Sequence, residues 1–265
     1  MAAGTTTLML IGLGGCDGIW AKDAYTALQI VQVQINTGEG GLSCTIPAEP
    51  TDLHRTKGTL DIGLPDKVRP YVLPVSIHNA MGAVGETEAE EFNNIRLHSF
   101  HVELSGYNTV TGKNIVWDNE KCPASFDQDY GTVLIPPTGY SGASVDVLLV
   151  NHANCLLDQF PALITAKITA VGRHGGTSIK SAPFEFMLTV CYGCLQRDYA
   201  DPQIASLGGL LPECVALTSN PYPGGCYPGQ DEPILCCAER PVPPATQIRY
   251  HCPAIPMGTS ASSSP

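Results

Sequence analysis

Along residues 25–190 apolar and polar side chains alternate in short runs, and the dominant period is two. In 26–35, Ala27, Val31, Val33 and Ile35 share one parity while Gln32 and Gln34 take the other, the pattern of a half-buried strand. Gly38, Glu39, Gly40 and Gly41 make a turn before a short apolar run at 42–46. Runs at 58–64 and 71–77 follow. Pro74 inside the second points to an edge strand or a bulge, since proline has no N–H for the ladder. Residues 92–104 carry the most specific signal. Ile95 and Leu97 are apolar on odd positions, then Phe100, Val102 and Leu104 on even ones. A β-bulge around His98 and Ser99 keeps both sets on one face.

Gly112, Lys113 and Asn114 turn the chain toward Ile115, Val116 and Trp117. Further strand-like runs lie at 132–135, 145–150, 163–171 and 184–190, the last with Phe184, Phe186, Leu188 and Val190 alternating cleanly. Residues 151–159 fit one short helix or a loop. The acidic stretch with Glu86, Glu88, Glu90 and Glu91 reads as a solvated loop or a single helical turn. About nine short strands separated by turn residues predict an all-β fold, an antiparallel β-sandwich of immunoglobulin-like architecture.

The pattern changes at Cys191. Seven of the eleven cysteines fall between Cys191 and Cys252, among repeated prolines and glycines, and no apolar period survives. Such a segment buries too little apolar surface to offset its ordering entropy alone, so it is expected to be loop-rich and stapled by disulfides. The expected organisation is a signal segment at 1–15, a linker at 16–21 and a sandwich domain at 22–190. A cysteine-rich segment at 191–252 and a disordered Ser-rich tail at 253–265 complete it.

Cysteine arithmetic adds a location. Cys16 closes the short apolar run Thr7 to Gly15, the form of a bacterial lipoprotein signal, although Met1 to Thr7 lack the basic residues of a normal n-region and an upstream start codon would supply them. Setting Cys16 aside as the lipidated residue leaves ten cysteines, an even number suited to disulfides in an exported protein. The disulfide candidates are Cys44, Cys122, Cys155, Cys191, Cys194, Cys214, Cys226, Cys236, Cys237 and Cys252. The formal charge of −11, with 14 basic and 25 acidic residues, repels a nucleic-acid backbone. Attachment to a membrane is then through lipid alone.

Two blocks go together. The first is Gly58, Thr59, Leu60 and Asp61, followed by Tyr71 to Val75, Asn79, Asn93 to Leu97 and Val102 to Leu104. The second is Val190 to Leu195 with Cys214, Cys226, Pro228, Gly229, Gln230, Asp231 and Cys236. In these blocks the chain resembles a group of uncharacterised cysteine-rich lipoproteins of myxobacteria and their relatives. The resemblance implies export and a lipid anchor, and no activity.

Candidate chemistry is thin. Cys191 and Cys194 have the spacing of a redox pair, but they follow a strand where a catalytic pair opens a helix. Cys191, Cys194, Cys236 and Cys237 give a zinc alternative, awkward because the second pair is adjacent. His98 and His101 flank the bulge, and His78 on a neighbouring strand would complete a metal-binding trio if the three converged; the plainer reading is rim residues. Asp127 and Asp129, with Gly131, form an oxygen-rich stretch of the kind calcium uses, in an expected loop and without the full twelve-residue pattern. Gly139 to Ala143 lacks the last glycine of a serine elbow and leads into a strand. These features point to a non-enzymatic, lipid-anchored, extracytoplasmic protein of the bacterial cell envelope. Its role would be structural, adhesive or partner-binding, toward envelope proteins or polysaccharide, and no cofactor is expected. The alternatives are an exported hydrolase or metal-dependent enzyme on the same sandwich, and an intracellular zinc protein.

Overall fold

The computed structural model describes residues 27–35, 45–63, 70–83, 93–198, 230–239 and 249–251. The expected signal and linker, the acidic stretch, Cys16, Cys44, Cys214, Cys226, Cys252 and the Ser-rich tail lie outside the described residues, as does the side chain of Cys237. In chain order the strands are β1 (Leu28–Gln34), β2 (His54–Arg55), β3 (Lys57–Asp61), β4 (Tyr71–Asn79), β5 (Ile95–Asn108), β6 (Ser125–Ile135) and β7 (Tyr140–Leu148). After the helix α1 (Val150–Leu156) come β8 (Ala162–His174), β9 (Thr177–Lys180), β10 (Phe184–Cys191), β11 (Gln196–Asp198), β12 (Ile234–Glu239) and β13 (Arg249–His251). None of the described helices is long and apolar enough to cross a membrane.

Two sheets form the sandwich. The first has the order β2-β1-β4-β7 and the second β3-β10-β8-β5-β6, with β9 paired to β8. Pairing is antiparallel except for β3 beside β10. The alternating residues of both inner faces make one core. Leu73, Val75, Ile77 and Val145 come from the first sheet, and Phe100, Val102, Ile164, Ile168, Phe186 and Leu188 from the second. This is the expected β-sandwich of immunoglobulin-like architecture.

The bulge lies where the phase slip puts it. The register of β5 skips from Leu97 to Ser99 against both β6 and β8, so Leu97 and Phe100 both reach the core. A second bulge escapes the pattern. β1 shifts register against β4 between Ile30 and Gln32, which leaves Val31 exposed and buries Gln34. The single parity expected for 26–35 therefore fails at Val31.

Pro74 sits in β4, between β1 and β7 and not at an edge. The sheet tolerates it because β1 pairing ends at Val75. Main-chain groups alternate sides along a strand, so Pro74 and Val72 face the side that β1 has left. There the side chain of Gln230 takes the place of a strand: its Oε1 accepts from Val72 N at 2.9 Å and its Nε2 donates to Val72 O.

Other expectations need correction. The run at 42–46 is no strand over its described part. Ile46 and Pro47 lie over Gly142 on the outer face of the first sheet. Residues 127–130 belong to β6 and not to a loop, because Phe126 and Tyr130 pack against the core. The cysteine-rich segment contains a small sheet, β11-β12-β13. One disulfide, Cys122–Cys155, lies in the sandwich and ties the loop before β6 to α1. The hairpin β8–β9 had a signal in Gly175 and Gly176, whose φ values of 53° and 86° fit the two-residue turn that pairs of glycines favour.

Candidate functional site

The outer face of the second sheet brings a reactive set together. Register pairs His101 with Asp127 and Glu103 with Ser125 across β5 and β6, and Glu103 with Lys167 across β5 and β8. Residues two apart on a strand share a face, so all five project to the same side. His101 Nδ1 lies 2.7 Å from Asp127 Oδ1, and Ser125 Oγ lies 3.3 Å from His101 Nε2. Glu103 Oε1 is 3.6 Å from the same Nε2, and its other oxygen is 3.9 Å from Lys167 Nζ.

Serine, imidazole and carboxylate thus stand in the order of an acyl-transfer relay. The setting differs from an enzyme pocket, since side-chain exposures are 35% for His101, 52% for Glu103 and 75% for Asp127. In such water-rich surroundings each charge is screened and each contact weak. The imidazole also has carboxylates on both sides, as in an ordinary cross-strand ion pair.

The sequence expectation held His101 and Asp127 as candidates, and the structure joins them. Asp129 pairs with Ser99, in the next row of the same strands. His98 is the bulge residue, and its Nε2 is buried without a hydrogen-bond partner. His78 belongs to the first sheet and stacks on Tyr140 at 4.4 Å, on the opposite side of the sandwich. The three histidines do not converge, and no metal-binding group of three occurs among the described residues. Ser125, Glu103 and Lys167 were not expected. Their signal was the alternation of Ser125, Asp127 and Asp129 with Phe126, Gln128 and Tyr130, which marks a strand where acidity suggested a turn.

The second polar constellation is buried and involves the C-terminal segment. Cys191 and Cys194 are bonded to each other, and Cys236 is also disulfide-bonded, which removes the zinc set. The loop they close is held by Asp61, only 3% exposed. Its Oδ1 accepts from Gly63 N at 2.8 Å and Gly193 N at 2.7 Å, and its Oδ2 from Leu195 N at 2.9 Å. Nearby, Gln230 and Asp231 cover β3. Asp231 N donates to Thr59 O at 2.8 Å, and its carboxylate accepts from Thr59 N at 2.6 Å and from the Tyr71 hydroxyl at 2.8 Å. Arg55 stands 3.6 Å away.

Burial, followed by the Asp231 charge, pushes the Tyr71 phenol far up. Burial also raises the Asp231 carboxyl, against the lowering by its amide and Arg55 contacts. The chain at Asp231 turns through a φ of 64°, a conformation that Asp and Asn tolerate best among side-chain-bearing residues. This covers the open edge of β3, which would otherwise offer unpaired main-chain groups.

The two resemblance blocks therefore meet in space. Asp61, Thr59 and Tyr71 of the first receive the Cys191–Cys194 loop and the Gln230–Asp231 turn of the second. Asn79 of the first block also donates to Asn93 O at 2.8 Å and Ile135 O at 3.0 Å.

A third cluster surrounds α1. His152, fully buried, accepts at Nδ1 from Leu149 N at 2.9 Å. Its Nε2 lies 2.8 Å from Pro123 O, an acceptor, so that nitrogen carries the proton and the ring is neutral. Burial lowers its pKa, partly offset by the Pro123 bond.

No family model matches the chain, and no curated protein matches it. Among solved structures it is similar to the ASH / PapD-like domain of human CEP192 (PapD-like domain 7), at 8% identity and a TM-score of 0.26, covering 57% of this chain and 99% of that one.

Proposed function

We propose that this chain is a non-enzymatic lipoprotein of the bacterial cell envelope, anchored through lipid at Cys16 and working as a rigid binding or structural module outside the cytoplasm. One observation carries the reading of a scaffold. Each of the buried polar side chains Gln34, Asp61, Ser76, Asn79, His152, Ser181 and Gln230 bonds to main-chain atoms. The groups best shielded from water, where chemistry is most effective, are engaged in clamping loops to the sheets. The disulfides support an oxidising compartment. The anchor rests on the apolar run ending at Cys16 and on the resemblance to the myxobacterial lipoproteins.

The test has two parts. Palmitate labelling and membrane fractionation in a bacterial host should mark the wild-type chain and lose both signals in Cys16→Ser; unchanged fractionation sinks the anchor. A panel of ester, peptide and glycoside substrates should show no turnover that depends on this chain's side chains.

A second reading is favoured by the Ser125–His101–Asp127 geometry: an exported hydrolase in which Ser125 Oγ attacks the acyl carbon of an ester, His101 accepts its proton and passes it to the alcohol as the ester C–O bond breaks, and water then releases the acid. Ester turnover abolished in both Ser125→Ala and His101→Ala would establish it and overturn the scaffold reading.

A further inference from the structure

The outer face of the second sheet changes character beyond the bulge. Arg96 on β5 and Arg173 on β8 are direct register partners, and both are exposed. Their own outer neighbours in the row are Leu134 on β6 and Ser178 on β9, which are neutral. Lys180 follows one row along, opposite Val171. The carboxylate of that row, Asp129, is on β6 opposite Ser99. No ion pair joins Arg96 or Arg173 to a carboxylate among the described residues.

Like charges directly opposite on neighbouring strands destabilise a sheet. A chain with 25 acidic and 14 basic residues has carboxylates in excess to relieve such a pair, and none of those among the described residues does so. Ile95 and Leu97 face the core, so Arg96 lies on the outer face by alternation. Two forked cations side by side have no carboxylate partner among the described residues.

We propose that Arg96 and Arg173 form a recognition site for a phosphate group. Two guanidinium forks can each offer paired N–H groups to a tetrahedral oxyanion. A phosphate monoester near neutral pH carries close to two negative charges, which balances the pair; a carboxylate or a sulfate ester, with one charge, does not. The group is borne by a soluble phosphate compound or by a lipid headgroup. This site deepens the binding-module reading by naming the partner's chemistry, and rests on it. Its failure is distinguishable, because the scaffold reading is judged by turnover.

The experiment uses the disulfide-intact chain. Inorganic phosphate and phenyl phosphate are titrated by calorimetry, with acetate and methyl sulfate as single-charge controls. Flotation with phosphatidylcholine vesicles, with and without phosphatidic acid, forms the lipid arm. The expected result is binding of phosphate above the controls, weakened about tenfold by Arg96→Gln or Arg173→Gln and lost in the double variant. Lys113→Gln, in the distant turn after β5, should bind as wild type. Phosphate should raise the wild-type melting temperature and leave that of the double variant unchanged, and the double variant should melt no lower than wild type without ligand. Binding in the soluble arm alone assigns a soluble source, and binding in the vesicle arm alone assigns a headgroup. No binding in either arm, or equal binding by the double variant, overturns the site.

Discussion

Asp61 offers the sharpest test of how the C-terminal segment is held. Its two carboxylate oxygens face three main-chain donors, Gly63, Gly193 and Leu195, at 2.7–2.9 Å. A hydrogen bond to a charged group contributes about 1.5–3 kcal/mol. Three independent bonds would give an upper bound well above what is expected, because Gly193 and Leu195 are half-exposed and water replaces part of the loss. Asp61→Ala should therefore cost about 3 kcal/mol. The informative variant is Asp61→Asn. Both faces of the side chain meet donors, so either orientation of the amide sets an NH₂ against an N–H, and the cost should approach that of alanine.

Urea unfolding with disulfides intact, followed by the half-buried Trp117, gives the change in midpoint. Hydrogen exchange at Gly193 and Leu195 reports whether the loss is confined to the loop. An Asp61→Asn variant within about 0.5 kcal/mol of wild type, with those amides still protected, would refute the reasoning.

Gly58→Ala should be strongly destabilising, by about 2–4 kcal/mol, because the new Cβ would overlap the Tyr71 hydroxyl and approach its Cζ to 2.7 Å; a melting temperature near wild type would contradict this. His152 makes stability depend on pH. Its folded pKa is lowered by burial, so the unfolded chain binds the extra proton first. That contribution is complete above about pH 6.5 and is lost as pH falls below it; the slope should flatten in His152→Gln. Replacing both Cys122 and Cys155 by Ala opens a link with a sequence separation of 33, for which loop closure predicts a loss of about 3–4 kcal/mol, measurable by urea titration of the non-reduced proteins.

Most of the sandwich is legible in the sequence because a strand's inward and outward positions are a local matter. The clean alternation of β10 and the phase slip at His98 needed no knowledge of any partner. Local reading failed where a partner decides the outcome. The β1 bulge exposes Val31 because β1 must keep register with β4. The oxygen-rich residues 127–130 became strand because Phe126 and Tyr130 pack on the core. Pro74 could lie in a central strand because β1 pairing ends at Val75 and Gln230 substitutes for it beyond.

The site followed the same division. The sequence alone determined an all-β chain, a compositional break at Cys191 and a set of chemistry-bearing residues that included His101 and Asp127. Only the tertiary structure decided that Ser125 stands beside them on the same face, that Arg96 faces Arg173, and that Asp61 and Gln230 clamp segments 132 and 158 residues away. Alternation along a strand is fixed by the backbone's own geometry and is written residue by residue. Which strands become neighbours is set by burial of the whole core, and no residue carries that information by itself.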